Sequence, residues 1–152
     1  MKMKNKIKAV VLGSFLSCSA LASEGVITVK SDFSATETAD RFVEIIDKKG
    51  MTLFTRINHM ENAAGVNLEL RPTEVVIFGN PNIGTKLMQC SQAVAIELPQ
   101  KALIWEDDKG EVWFSYNDPA FLKQRHSVQG CDKVFTKISN VLGKLSKAAT
   151  QQ

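Results

Sequence analysis

The stretch Leu98–Pro119, LPQKALIWEDDKGEVWFSYNDP, decides the fold. Two apolar, aromatic-rich runs flank the turn residues Asp107-Asp108-Lys109-Gly110. That pattern specifies an antiparallel hairpin. A four-residue loop sets Glu106 against Glu111 and Trp105 against Val112. Side chains alternate along a strand, so Leu103, Trp105, Val112, Phe114 and Tyr116 are expected on the core face. Ala102, Ile104, Glu106, Glu111, Trp113 and Ser115 are expected on the other, with Ile104 opposite Trp113. An apolar pair on a polar face is a candidate ligand or partner surface, or the seat of a covering helix or loop.

Working outward, TEVVIFGN (73–80) is a strand apolar enough for a sheet interior. NIGTKLMQC (82–90) reads as a short helix with Ile83, Leu87 and Cys90 on one side. GVITVKSDF (25–33) alternates as an opening strand, and MTLFTRINH (51–59) is a second. Between them Ser34 and Glu37 form a capping-box pair, and Ala35, Ala39, Phe42, Ile45 and Ile46 make an apolar helical stripe that Gly50 ends. MENAAGVNLEL (60–70) is a short helix or loop, broken at Arg71-Pro72. A helical piece follows Pro119, and Val134, Ile138, Val141, Leu142 and Leu145 share one face of a final helix. Strands do not alternate regularly with helices. The expected class is α+β, an antiparallel sheet of about five strands with helices packed on one face.

The chain opens MKMKNKIKAVVLGSFLSCSALAS: Lys2, Lys4, Lys6 and Lys8, then an apolar run, then Ala20-Leu21-Ala22. This is the form of a secretory signal peptide over 1–22, cleaved after Ala22. The apolar run is too short for a stable membrane anchor. Cys18 lacks the leucine three places upstream that lipid attachment favours. The expected location is periplasmic, with no membrane attachment after cleavage. Residues 23–146 suit a single domain, and 147–152 read as a flexible C-terminal tail.

The whole chain carries 19 basic and 16 acidic residues, a formal +3. Removal of the four leader lysines leaves 15 basic against 16 acidic. No electrostatic footprint for nucleic acid remains. Two cysteines, Cys90 and Cys131, stay in the mature part. An even count in an oxidising compartment suggests one disulfide.

Several of these stretches together resemble a known family. They are TADRF (38–42), GMTLFTRINH (50–59), LRPTEVVIFGNPNIGTKLM (70–88), AIELPQKALIWED (95–107) and VWFSYNDP (112–119). The chain is similar to the domain of unknown function 302 family over nearly all of 31–145, with FGNP-x-x-GT and LP-x-K as joint signatures. The resemblance implies a TATA-binding-protein-like fold, a curved antiparallel sheet backed by helices, often as a homodimer. It implies no activity and no catalytic residues. The fold name does not carry DNA binding with it.

FGNPNIGTK (78–86) is one transposition from a phosphate loop, G-x-x-x-x-G-K-[ST]. Pro81 has no amide to offer, Thr85 holds the lysine's slot, and Lys86 is displaced about 100° around a helix. An Asn-Pro turn starting a helix is the better reading, with a weak anion site at the helix start as the remnant alternative. His59 closes the second strand. It is either a turn histidine or a ligand contact or acid–base group. His126 reads as a helix-end cation. No G-x-S-x-G, H-E-x-x-H or C-x-x-C stands out.

Three function classes follow. The first is a non-catalytic small-ligand-binding or interaction domain, with His59, Asn80, Thr85, Ile104 and Trp113 as candidate contacts and no cofactor. The second is a redox, metal or haem protein using Cys90, Cys131 and His59. The third is an enzyme with His59 beside the Asn80-Pro81 loop.

Overall fold

The computed structural model describes residues 24–152. The leader reading lies outside the described residues. The elements run β1 (Val26–Lys30), α1 (Ala35–Lys48), β2 (Thr52–Asn58), α2 (His59–Ala64), β3 (Thr73–Gly79), α3 (Pro81–Cys90), a 3₁₀ turn (Gln92–Glu97), β4 (Gln100–Glu106), β5 (Val112–Asn117), α4 (Pro119–Arg125) and α5 (Asp132–Thr150).

All five strands form one antiparallel sheet in the order β1-β5-β4-β3-β2. The first two strands in sequence are therefore its two edges. The chain must cross the whole sheet between them, and α1 makes that crossing. Ser34 caps it by accepting from the Glu37 amide at 3.3 Å, and Gly50 closes it at φ +64°. Its stripe buries Ala39, Phe42 and Ile46 completely. The Phe42 ring meets Phe78 of β3 and Phe114 of β5 edge-on, each at 4.9 Å between centroids. This aromatic triad joins helix to sheet at the centre of the core. Phe135, Ile138, Leu142 and Leu145 of α5 complete that layer. The α+β architecture with helices on one face is thus as expected. β3 is an interior strand, although β4 holds the middle place.

The hairpin register differs from the expectation by one residue. Trp105 pairs with Trp113, Ile104 with Phe114 and Ala102 with Tyr116. The reason is the turn. Asp107, not Glu106, faces Glu111, with Asp107 N–H donating to Glu111 O at 2.9 Å. Gly110 adopts φ +76°, and its amide returns to Asp107 O. The loop is therefore three residues long, a turn followed by a left-handed glycine that creates a bulge. Its odd length swaps the two faces of β4 relative to β5. Ala102 and Ile104 enter the core fully buried, beside Phe114 and Tyr116. Leu103 and Trp105 pass to the other face, where Trp105 stacks on Trp113 at 6.4 Å. The expected Ile104–Trp113 surface does not exist: the two side chains lie on opposite faces.

The helix α5 runs on as far as Thr150. Ala149 and Thr150 are fully buried at the end of α5. Arg41 of α1 explains this. Its guanidinium donates to Ala148 O, Ala149 O and Gln151 O, and stacks over Phe33 at 3.9 Å. The last carbonyls of α5, which the helix itself cannot satisfy, are held by a cation where the dipole favours one.

Candidate functional site

β3 delivers the chain into FGNPNIGT. Phe78 is buried in the core, and the strand ends at Gly79. The Asn80 side chain accepts from the Asn82 amide at 3.0 Å, and Pro81 takes the first helical position, where its missing N–H costs nothing. The Ile83 and Gly84 amides return to Asn80 O. The helix start is thus satisfied by its own cap. The remnant anion-site reading finds no free amides there.

The glycines have a different use. A Cβ on Gly79 would meet the Phe54 ring at 3.5 Å and Pro99 at 3.7 Å. A Cβ on Gly84 would meet Leu98 Cδ1 at 3.7 Å. Both bare backbones face one cavity of about 440 Å³. It lies at one end of the sheet, between α3, the β2 and β4 termini, and α5. Leu98, Pro99 and Gln100 form one side and Ile138, Val141 and Leu142 another. Phe54 overhangs it, half-exposed at 51%. A β-bulge between Leu53 and Thr55 inserts Phe54 as an extra residue and turns it to the mouth. The walls are mainly apolar. Asn80, Thr85, Gln100 and Lys137 supply the polar groups. Such a composition and size match small-molecule sites, which span about 300–1,000 Å³.

The disulfide serves this same cavity. Cys90 ends α3 and Cys131 caps α5, joined with their Cα atoms 6.5 Å apart. The bond ties together two walls of the pocket. Cys131 sits at φ +57°, a left-handed conformation that a non-glycine residue adopts at a cost.

Of the expected contacts, the structure brings Asn80 and Thr85 to one site. Ile104 is in the core and Trp113 on the sheet face opposite it. His59 begins α2 at the far end of β2. The strand pairing sets Thr52 against Gly79 and Asn58 against Glu74, so His59 lies about 20 Å along the sheet from Asn80 at strand rise. The enzyme reading that joined them fails on this geometry. Cys90 and Cys131 are bonded to each other, and among the described residues no three His, Cys, Asp or Glu side chains gather as a metal set. The thiolate–His59 site is therefore not assembled. His126 ends α4 and bonds Glu97 at 2.8 Å, with Arg125 beside it. Phe54, Leu98, Pro99 and Lys137 were not expected as site residues. LP-x-K pointed to two of them as a signature. No pattern in LFT announces a bulge.

The fold and pocket define an α+β domain with an open, apolar cavity at the end of its sheet. The model of the family "Domain of unknown function DUF302" matches residues 27–145, and the chain belongs to that family. A crystal structure described as an uncharacterized conserved protein DUF302 from Bacillus stearothermophilus superposes with a TM-score of 0.67 at 18% identity, covering 84% of this chain and 97% of that one. That likeness speaks for the TATA-binding-protein-like fold alone. Two curated relatives are named fluoride-specific ion channel FluC 1. They come from Brucella suis biovar 1 (strain 1330) and Brucella abortus biovar 1 (strain 9-941), each 42% identical over 120 residues. The match covers 79% of this chain, but 47% and 44% of those proteins. The chain thus spans about half the length of the curated relatives it matches. Among the described residues no helix is long and apolar enough to cross a membrane.

Proposed function

We propose that this chain is an exported, periplasmic domain that binds a small, largely apolar molecule in the cavity between α3, α5 and the sheet end. One observation carries the reading: both signature stretches and the bulged Phe54 converge on the same cavity. FGNPNIGT supplies one wall with two glycines where side chains would intrude, and Leu98, Pro99 and Gln100 of the LP-x-K stretch supply another. A merely structural turn has no need to keep such a space open. The leader pattern and the disulfide support export, because such bonds persist in oxidising compartments.

The test is a native, non-reducing mass spectrum of chain recovered from the secretory compartment. The reading expects a chain starting at Ser23, with a fraction carrying extra mass from a small organic molecule. That fraction should vanish in Gly84→Leu, which fills the cavity. A chain retaining its leader refutes export. Retained mass unaffected by Gly84→Leu refutes the pocket.

The Brucella relatives favour a second reading, that domains of this kind are appended to a membrane channel. We read the matched part of those proteins as an attached domain and not the conduit. Among the described residues the edge strands β1 and β2 each pair on one side only, which leaves backbone groups unpaired that lipid does not tolerate. Liposomes reconstituted with this chain alone should show no fluoride flux above empty vesicles. Saturable flux would overturn that reading.

A further inference from the structure

We infer that the cavity selects ligands carrying an anionic head on an apolar body, with Lys137 meeting the head at the mouth. This rests on the pocket reading above and goes further by naming the ligand class.

Lys137 is the one ionisable side chain in the cavity lining. It is exposed, and it forms no hydrogen bond or ion pair among the described residues. It also borders a second, shallower groove along α5, which includes Lys133 and Lys144. These three lysines fall on one helical face, at i, i+4 and i+11. The nearby acids are already engaged. Glu97 is buried against His126 and Arg125, and Asp132 pairs with Lys123. The mouth is therefore locally cationic in a stretch, 24–152, whose formal basic and acidic counts nearly cancel.

The remaining polar groups suit a head and not a body. The Thr85 hydroxyl and the Gln100 amide lie in the lining with no partner among the described residues. Both can donate to an oxygen. Deeper surfaces are Phe78, Leu87, Leu98, Ile138 and Leu142, which offer an apolar tail burial and no hydrogen bonds. A carboxylate is strongly hydrated and resists transfer from water. Preference for a carboxylate over a neutral alcohol of equal chain length therefore reports a charge partner, not apolar burial.

The experiment compares decanoate with decan-1-ol on the full chain by methyl NMR titration. Wild type should bind decanoate about 5-fold more tightly at low salt, the scale of one partly solvated ion pair. Lys137→Gln should abolish or reverse the preference, because the carboxylate's desolvation is then uncompensated, Lys137→Arg should keep it, and raised salt should shrink it. Equal affinities in wild type, or a preference that survives Lys137→Gln, overturn the anionic assignment and leave the pocket standing. Absence of shifts at Met51, Met88 and Ile138 with either probe overturns the pocket reading, and this inference with it.

Discussion

Cys90 closes α3, Cys131 opens α5, and the bond between them sets how far apart two walls of the cavity can move. Its loop spans 41 positions. In the chain-entropy account, a loop of that length stabilises by about 4 kcal/mol. The double variant Cys90→Ser, Cys131→Ser should lose roughly 2–4 kcal/mol in urea unfolding. It should also lose probe affinity under conditions where it remains folded, because α5 is then free to lean away from α3. Unchanged affinity in the folded variant would make the bond a stabiliser only.

Gly84 lies inside α3 at an ordinary helical φ, with room for a Cβ against Leu98. Gly84→Ala should therefore stabilise the protein by about 0.5–1 kcal/mol, the usual glycine penalty in a helix. The added methyl enters the cavity, so ligand affinity should fall. Gains in stability with loss of binding would mark Gly84 as kept for the site. A loss of stability would show that the backbone needs the glycine.

Ile104 tests the register. It is 0% exposed between the β4 neighbours and the helical layer. Ile104→Asp should unfold the domain or cost over about 4 kcal/mol, since it buries an unpaired charge. Trp113→Phe on the opposite face should cost about 1 kcal/mol, the hydrogen bond to Asp107. Comparable mild effects at both positions would restore the four-residue loop.

Asp107 gives the turn an acid limit. Its carboxylate accepts from the Trp113 indole and from the Lys109 and Glu111 amides. The Trp113 hydrogen bond is the largest cause holding its pKa below the ordinary 3.8. A carboxylate depressed in the folded state adds stability above its unfolded value. That contribution is lost as pH falls through the lower, folded value. The Trp113 indole N–H resonance should stay fixed at neutral pH and move only below the ordinary aspartate range. In Asp107→Asn this acid transition should be absent. A shift centred above 3.8 would contradict the turn geometry.

The hairpin shows what a sequence can settle. Alternation in VWFSY placed Val112, Phe114 and Tyr116 in the core correctly, because one face of β5 is strongly apolar. It could not place β4, where Leu103 and Ile104, or Trp105 and Ile104, are equally apolar on adjacent positions. Only the turn separates those registers. The signal was Gly110 at the last position of the loop, just before Glu111, where a left-handed bulge residue is required. The lining of the cavity was legible in part for a similar reason. Asn80 and Thr85 lie in a local motif, so they could be singled out together. Phe54, Leu98 and Lys137 reach the cavity from three other elements, and local spacing carries no information about that meeting. In the same way, no local pattern announces that Arg41, over 100 residues upstream, meets the carbonyls at the end of α5.

The most direct test of the central claim is the methyl NMR map of the chain titrated with decan-1-ol, a neutral probe that asks only where apolar matter binds. Saturable shifts are expected at Met51, Met88, Leu98 and Ile138, with Ile57 and Leu103 on the sheet face opposite the core unmoved. Shifts confined to Leu103 and Ile57, or none that saturate, would contradict that claim.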